Sequence, residues 1–390
     1  MNILFDFFYL FVVWVVHILA IPFLWYKSHK EKYRHSIPAR FFLRDNPPLD
    51  EGGVWFHACS FGEMKALEPL VSLLPQERVR FSSTTQTGYE QSLNYSPQSR
   101  YLPFESLLVS WIRPQKVLVV MEAEFWYLLF AIAQKRGAKT LLINARISDR
   151  SYHKYLKFRW FYRKIFAHID SVYAQTPKDK ERLEQLGAKS VEVLGNIKFY
   201  NIPKPTMVLD KPDGLFICAS STHEGEESMV LEAFRVLKQK QPDARLVVAP
   251  RHPERFAKVH RLLGYYSDLQ GWSYRKYSTR RSLKADITLI DSLGELINLY
   301  AISDIVVLGG AFKPIGGHNA IEPAQFGCKI ISGEHYFNQR DIFAGIEGIT
   351  IAKEGELIEK LQYPKLLPNT KIIKQTDITP IIEEIQEALR

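Results

Sequence analysis

Five short segments of the 390-residue chain combine carboxylates, cations and glycines in patterns suited to chemistry. The first, His57-Ala58-Cys59-Ser60-Phe61-Gly62-Glu63, runs from an apolar stretch into a helical one. Gly62 permits a tight turn, and Glu63 stands where a carboxylate can take a proton from an incoming hydroxyl. The spacing Ser60-x-x-Glu63 is equally that of a capping box, which satisfies free helix N–H groups. The second segment, Met121-Glu122-Ala123-Glu124-Phe125-Trp126, places two carboxylates after another apolar run. They read as an acid, a base or a charge stabiliser, or as first-turn acids favoured by the helix dipole.

The third segment, Ser220 through Glu227, reads SSTHEGEE and offers hydroxyls and backbone N–H groups at a helix start, an arrangement that binds anions. Ser221-x-x-Glu224 is again capping-box spacing. In the fourth, Pro250-Arg251-His252-Pro253, an arginine directly after an apolar run can hold a phosphate bidentately. The fifth joins Asp291-Ser292-Leu293-Gly294-Glu295 to the glycine pairs of Gly309 through Pro323. Backbone N–H groups there can cradle a phosphate, with Glu322 one turn into the following helix to accept from ribose hydroxyls. No Lys-Ser/Thr follows Gly317, so this is not a Walker loop, and His223-Glu224 lacks the second histidine of a zinc-protease helix. GxSxG, GxGxxG after a first strand, and Asp-x-Asp are also missing, which removes the simplest hydrolase and dehydrogenase readings and the usual metal-binding pair for a nucleotide sugar.

These segments need elements to position them. Short apolar runs predict parallel strands at Val54–Ala58, Val79–Ser82, Lys116–Met121, Thr140–Asn144, Ser171–Ala174 and Val191–Leu194, with helices such as Glu63–Leu74, Phe125–Arg136 and Pro177–Leu186 between them. A Pro-rich break spans residues 202–214, after which strands are expected at Leu215–Ala219, Arg245–Ala249, Ile287–Ile290, Ile305–Gly309 and Lys329–Ser332. The pattern is α/β: one half at 27–202 and another at 203–375, both Rossmann-like and facing a cleft, with a final helix at 376–390. Ligands of such halves bind beyond the carboxyl ends of the strands, where all five segments fall.

Residues 1–26 form an expected membrane anchor, since FFYLFVVWVVHILAIPFLW approaches the roughly 20 apolar residues of a span. Lys27, Lys30, Lys32, Arg34, Arg40 and Arg44 follow it, which places the rest of the chain on the cytoplasmic side. The fold proper is expected from about Gly53. Aromatic and basic residues interleave at helical spacing over 152–164, suiting anionic headgroups better than nucleic acid once an anchor is present. The net charge of +9 agrees with such a surface or with an anionic substrate. Three scattered cysteines, Cys59, Cys218 and Cys328, give neither a disulfide framework nor a structural zinc site.

Taken together, SFGE (60–63), MEAEFW (121–126), NARIS (144–148), GNIKF (195–199), SSTHEGEE (220–227), PRHPERF (250–256), DSLGEL (291–296), GGHNAIEPAQFG (316–327) and SGEHYFN (332–338) resemble the 3-deoxy-D-manno-octulosonic acid (Kdo) transferases. The resemblance implies a GT-B fold and inverting transfer of Kdo from CMP-Kdo to lipid IVA, a lipid A precursor, at the inner membrane. It implies no metal and no cofactor beyond the donor. By that similarity Glu63 is the catalytic base, and Glu122 and Lys198 assist the transition state. Pro250, Arg251, Leu293, Gly294, Glu295, Asn319, Ala320, Ile321 and Glu322 match the CMP-binding segments. The sequence departs from the pattern at Leu293, often Met, and at Phe61, often Val. Two other readings stand beside it: a GT-B lipid glycosyltransferase using a UDP-sugar, and a non-catalytic protein that binds anionic lipid.

Overall fold

Buried runs of Val, Ile, Leu and Phe close into two parallel sheets, each in its own unit. The computed structural model describes Ile3–Arg390; Met1 and Asn2, the first residues of the expected anchor, and the side chains of Ile3 and Lys32 lie outside the described residues. One unit comprises Met1–Asn201 with Thr376–Arg390, the other Ile202–Gln375.

The first unit begins with helices α1 (Ile3–Ser28) and α2 (Ser36–Phe42). Its strands are β1 (Val54–His57), β2 (Val79–Ser83), β3 (Ser99–Tyr101), β4 (Val117–Met121), β5 (Lys139–Ala145), β6 (Ser171–Ala174) and β7 (Val191–Val193), in the order β3-β2-β1-β4-β5-β6-β7. Successive residues of a strand face opposite sides, so Trp55, Leu118 and Val120 enter one core while Phe56, Val117 and Val119 enter the other. Helices α3 (Phe61–Ala66), α4 (Glu68–Val71), α5 (Gln86–Leu93), α6 (Leu108–Trp111), α7 (Tyr127–Lys135), α8 (Asp149–Lys157), α9 (Arg159–Phe166) and α10 (Pro177–Leu186) connect the strands.

In the second unit β8 (Phe216–Thr222), β9 (Arg245–Pro250), β10 (Tyr274–Lys276), β11 (Ile287–Leu289), β12 (Ile305–Leu308) and β13 (Lys329–Ser332) build the sheet β10-β11-β9-β8-β12-β13-β15. The edge strand β15 (Thr350–Ile351) follows β14 (Ile346–Glu347), which pairs antiparallel with β16 (Lys371–Ile372). Its longest helices are α11 (Glu226–Lys240) and α12 (Phe256–Gln270).

Every expected strand is present with ends within three residues; β3, β10 and the two-residue strands β14, β15 and β16 are additional, and β3 and β10 are the longest of these. Each of the two is a three-residue edge segment, SRY or YRK, too short and polar to show a period. The expected helix 63–74 is two helices, because Pro69 has no N–H to return to the carbonyl of Lys65. The aromatic–basic helix is likewise split at Phe158 into α8 and α9. Nor does ordered packing wait for Gly53. Ile37, Ala39 and Leu49 are buried, and the Asn46 amide donates to the Ala39 and Tyr101 carbonyls at 3.2 and 2.9 Å.

The C-terminal helix, Thr379–Leu389, returns to the first unit. Ile381, Ile382 and Ile385 pack on the core that holds Phe56 and Val119. Glu384 accepts from Ser171 Oγ at 2.6 Å and Tyr173 OH at 2.7 Å, and pairs with Lys139 at 2.9 Å. Ile385→Ala should therefore cost the first unit about 2–5 kcal/mol. Glu383→Ala, on the exposed side of the same helix, should stay within about 0.5 kcal/mol. Urea unfolding of the two variants checks this; equal effects would mean that the helix is held by its ends and not by its buried face.

Candidate active site

Ser60 caps α3, and its side chain forms both halves of a local exchange with Glu63. The Glu63 N–H donates to Ser60 Oγ at 3.3 Å, and the hydroxyl donates to Glu63 Oε1 at 2.7 Å. The Cys59 N–H reaches Glu63 Oε2 at 3.0 Å. Ser60 thus caps the helix, but the carboxylate takes the Cys59 N–H and the Ser60 hydroxyl instead of the Ser60 N–H of a full capping box; these bonds fix it at the carboxyl end of β1. Burial raises the pKa of Glu63 above the ordinary 4.5, and the charge of Glu122 adds to this against the Ser60 and Cys59 donors. Cap and base are therefore compatible roles of one side chain.

Glu122 follows β4 with φ 56°, a left-handed conformation uncommon outside glycine and often retained at functional sites. Its carboxylate is buried between Arg146, which donates from Nε at 2.9 Å, and Lys198, whose Nζ lies 3.5 Å away. Lys198 sits on the short turn Ile197–Phe199, whose cap Asn196 accepts from the Lys198 N–H at 3.1 Å. The three expected residues Glu63, Glu122 and Lys198 are thus coupled in one unit. Arg146 was not among them, although it follows the carboxyl end of β5, where the strand rule directs attention.

Glu124 lies apart from that pairing and accepts from Trp126 Nε1 at 2.7 Å. His57, Cys59 and Glu124 bring one donor atom each to within 4.8 Å of one another, a set able to ligate a metal ion. Burial lowers the His57 pKa to about 4 and raises that of the Cys59 thiol, to which Glu124 contributes. The half-buried Arg40, held by the Leu102 and Thr84 carbonyls, is the cation already beside Glu124 and Cys59. A groove of about 700 Å³ adjoins this corner, lined by Phe23, Leu24 and Lys27 of α1 and by Arg40, Thr84 and Gln86.

In the second unit the loops after β11, β9, β8 and β12 emerge side by side, as the strand order requires. The start of α11 is not the open anion site expected from the sequence. Gly225, not Ser221, caps it, and Glu224 is exposed and paired with Lys258. The carboxylate of Glu226 accepts the Gly310 and His223 N–H groups at 2.9 Å and so fills the position meant for a ligand. Glu227, also buried, is held bidentately by Arg255 at 2.6 and 2.9 Å.

Positive charge comes instead from side chains. Arg251 is exposed, and among the described residues its guanidinium pairs with no carboxylate. His223 and His318 share a proton between Nε2 atoms 2.8 Å apart, and His252 stands against His223 with ring centroids 5.4 Å apart. Burial, then Arg251 and the neighbouring imidazoles, lowers the His318 pKa to about 4. These histidines were not assigned from the sequence, which gives no sign that loops 95 residues apart meet.

Gly310 must lack a side chain: at φ 76° an added Cβ would lie 2.6 Å from the His318 ring. At Gly316 it would meet the Asn338 amide at 2.1 Å. Pro250, Ala320 and Ile321 are buried, leaving chiefly backbone for a ligand, whereas Asn319 is exposed and accepts from the Ile321 N–H at 3.0 Å. Glu322 is the second residue of the four-residue helix Ile321–Ala324. Leu293 is 72% exposed and Gly294 turns with φ 85°. Glu295 is buried, and its Oε2 has no hydrogen-bond partner among the described residues.

Residues 30–201 match a family described as 3-deoxy-D-manno-octulosonic-acid transferase (kdotransferase). The 3-deoxy-D-manno-octulosonic acid transferase of Haemophilus influenzae is 32% identical, the alignment covering 86% of this chain and 84% of that protein. The chain belongs to the Kdo transferase family. The Aquifex aeolicus transferase of the same name is 29% identical over 90% of this chain and 98% of its own. Among solved structures, a UDP-GlcNAc 2-epimerase from Neisseria meningitidis bound to UDP-GlcNAc has a TM-score of 0.52 at 13% identity, covering 87% and 99% of the two chains. That likeness concerns the fold alone, and with the two parallel sheets it gives the GT-B class. As a Kdo transferase, the protein is a glycosyltransferase of lipopolysaccharide biosynthesis.

If Glu63 is the general base that the family resemblance implies, its raised pKa sets the acid limb of the rate. In that role Glu63 would work deprotonated, so transfer should fall as pH drops through a value above 4.5. Glu122→Gln removes the largest charge that raises it and should move this limb to lower pH in the residual Kdo transfer. An unmoved limb in pH–rate profiles would assign the titration to another group.

Proposed function

We propose that this Kdo transferase takes Kdo from CMP-Kdo and attaches it to lipid IVA with inversion, at the cytoplasmic face of the inner membrane. The reading rests above all on Glu63, a carboxylate of raised pKa fixed at the end of β1. It accepts the proton of an acceptor hydroxyl as that oxygen attacks the anomeric carbon. Glu122, oriented by Arg146 and Lys198, assists as positive charge develops on the sugar.

The donor side is supported by the second unit. Arg251 has a guanidinium that pairs with no carboxylate among the described residues and is proposed to take the CMP phosphate, and the glycine loop after β12 allows close backbone approach. Glu295 Oε2 is an acceptor available to an N–H or O–H of the nucleoside, and Glu322 is proposed to reach the ribose. CMP departs as an anion toward Arg251, with no cofactor in the proposed step. The groove beside Arg40 is suited to an acceptor with both an anionic and an apolar part.

Glu63→Gln should lower transfer by about 10²–10⁴. Its amide oxygen can still accept a capping hydrogen bond, so thermal stability and CMP binding should remain near those of the parent. Near-normal turnover would reduce Glu63 to a helix cap. Arg251→Ala should weaken CMP by about 1.5–3 kcal/mol in titration calorimetry; unchanged affinity removes it from the donor site. Stronger inhibition by UDP than by CMP would favour a UDP-sugar donor, and product mass analysis with CMP-Kdo and lipid IVA tests the reaction itself.

A further inference from the structure

Helix α1 is long and apolar enough to cross a bilayer, with a mean hydropathy of 2.4 over 18 residues of its candidate span Leu4–Ser28. Its side chains are nevertheless divided between two faces. Phe5, Asp6, Tyr9, Leu10, Val13 and His17, then Ala20 and Leu24, are shielded and recur every three or four residues, the stripe of a helix docked along one side. Asp6 and His17, the ionisable residues from Leu4 to Tyr26 other than tyrosines, both belong to this stripe. Tyr127 OH donates to the Asp6 carboxylate, Tyr9 OH donates to Glu105 at 2.7 Å, and His17 Nδ1 lies 2.6 Å from Ser106 Oγ. Every other residue from Leu4 to Tyr26 is exposed, and each is apolar or aromatic.

The docked stretch from Phe5 to Leu24 is about 28 Å long at 1.5 Å per residue, nearly the hydrocarbon thickness of about 30 Å. A helix cannot cross hydrocarbon over that length while the first unit lies along it. Lys164, whose Nζ sits 4.2 Å over the Phe5 ring, and the neighbouring Arg159 and Arg163 would be carried in with it. Undocking would strand the carboxylate of the nearly buried Glu105 without its Tyr9 donor.

We propose that α1 lies in the plane of the membrane, its outer face sunk into the headgroup–acyl boundary of one anionic leaflet and its inner stripe clamped to the first unit. The surface extends beyond the helix. Trp160 meets Phe5 edge-on at 6.3 Å, and Phe158 and Trp160 are each 57% exposed among Lys154, Lys157, Arg159 and Arg163. At the other end Lys27, Lys30 and Arg34 follow. Apolar residues framed by cations match a leaflet of acidic lipid. The inference does not depend on which lipid is the acceptor.

Phe7, Phe11, Trp14, Ile18 and Trp25 share the outer face, and residues 7 and 25 are about 27 Å apart. Each is replaced singly by cysteine in a Cys59→Ala background of the full chain and spin-labelled; Cys218 and Cys328 are buried, and the unsubstituted background is the labelling control. In phosphatidylglycerol–phosphatidylethanolamine vesicles, collision with oxygen against a nickel chelate reads the depth of each label. The expected result is five similar depths, about 5–10 Å below the headgroups. A profile that runs from one surface at residue 7 through the bilayer centre to the other surface at residue 25 overturns the proposal in favour of a spanning helix. Spin–spin broadening without oxygen contact also overturns it, because the face would then cover a second copy of the chain.

Discussion

Two adjacent parallel strands can be joined only by a connection that crosses back over the sheet. Both sheets here obey that constraint, and it governs where chemistry occurs. Each strand delivers its last residue to the same edge, so β1, β4 and β5 bring Glu63, Glu122 and Arg146 together from three separated segments. The same rule sets the loops after β8, β9 and β12 beside one another, with their histidines and Arg251. One topology therefore produces opposite electrostatics. The first unit collects carboxylates in a partly desolvated corner, which raises proton affinity, whereas in the second burial, aided by Arg251 and the neighbouring imidazoles, depresses it at His318.

The resolved interactions also show why a local motif and a catalytic group need not compete. Ser60 and the Cys59 N–H hold Glu63 in place, and fixed orientation is what its proposed role as general base requires. Glu226 illustrates the opposite case. It occupies the N–H groups of the glycine loop and the turn before α11, so those donors organise the protein instead of receiving a ligand.

Strands such as β4 and β12 were legible because four or five consecutive apolar residues can be buried on both faces only within a covered sheet. Pro177 and Gly187 marked α10 from both ends. The edge strands β3 and β10 were not, since pairing on one side demands no pattern. Motif positions at strand ends were readable, but partnerships were not: neither the Arg146–Glu122 bond nor the His223–His318 pair is encoded by spacing, because both are closed by tertiary packing. The amphipathic character of α1 was hidden for another reason. Only Asp6, Tyr9 and His17 mark its inner face, and the apolar residues around them give the same hydropathy on either side.

The return of the C-terminal helix to the first unit has a temporal consequence. The chain leaves that unit at Asn201 and completes it only with Thr376–Arg390. At about 5–20 residues per second, synthesis of the intervening and final residues takes about 10–40 s. Throughout that interval Val117, Val119 and Leu141 lack the isoleucines that cover them. The second unit, encoded by one uninterrupted segment, can finish folding first. Assembly thus runs against chain order, and the unit holding Glu63 is sealed last.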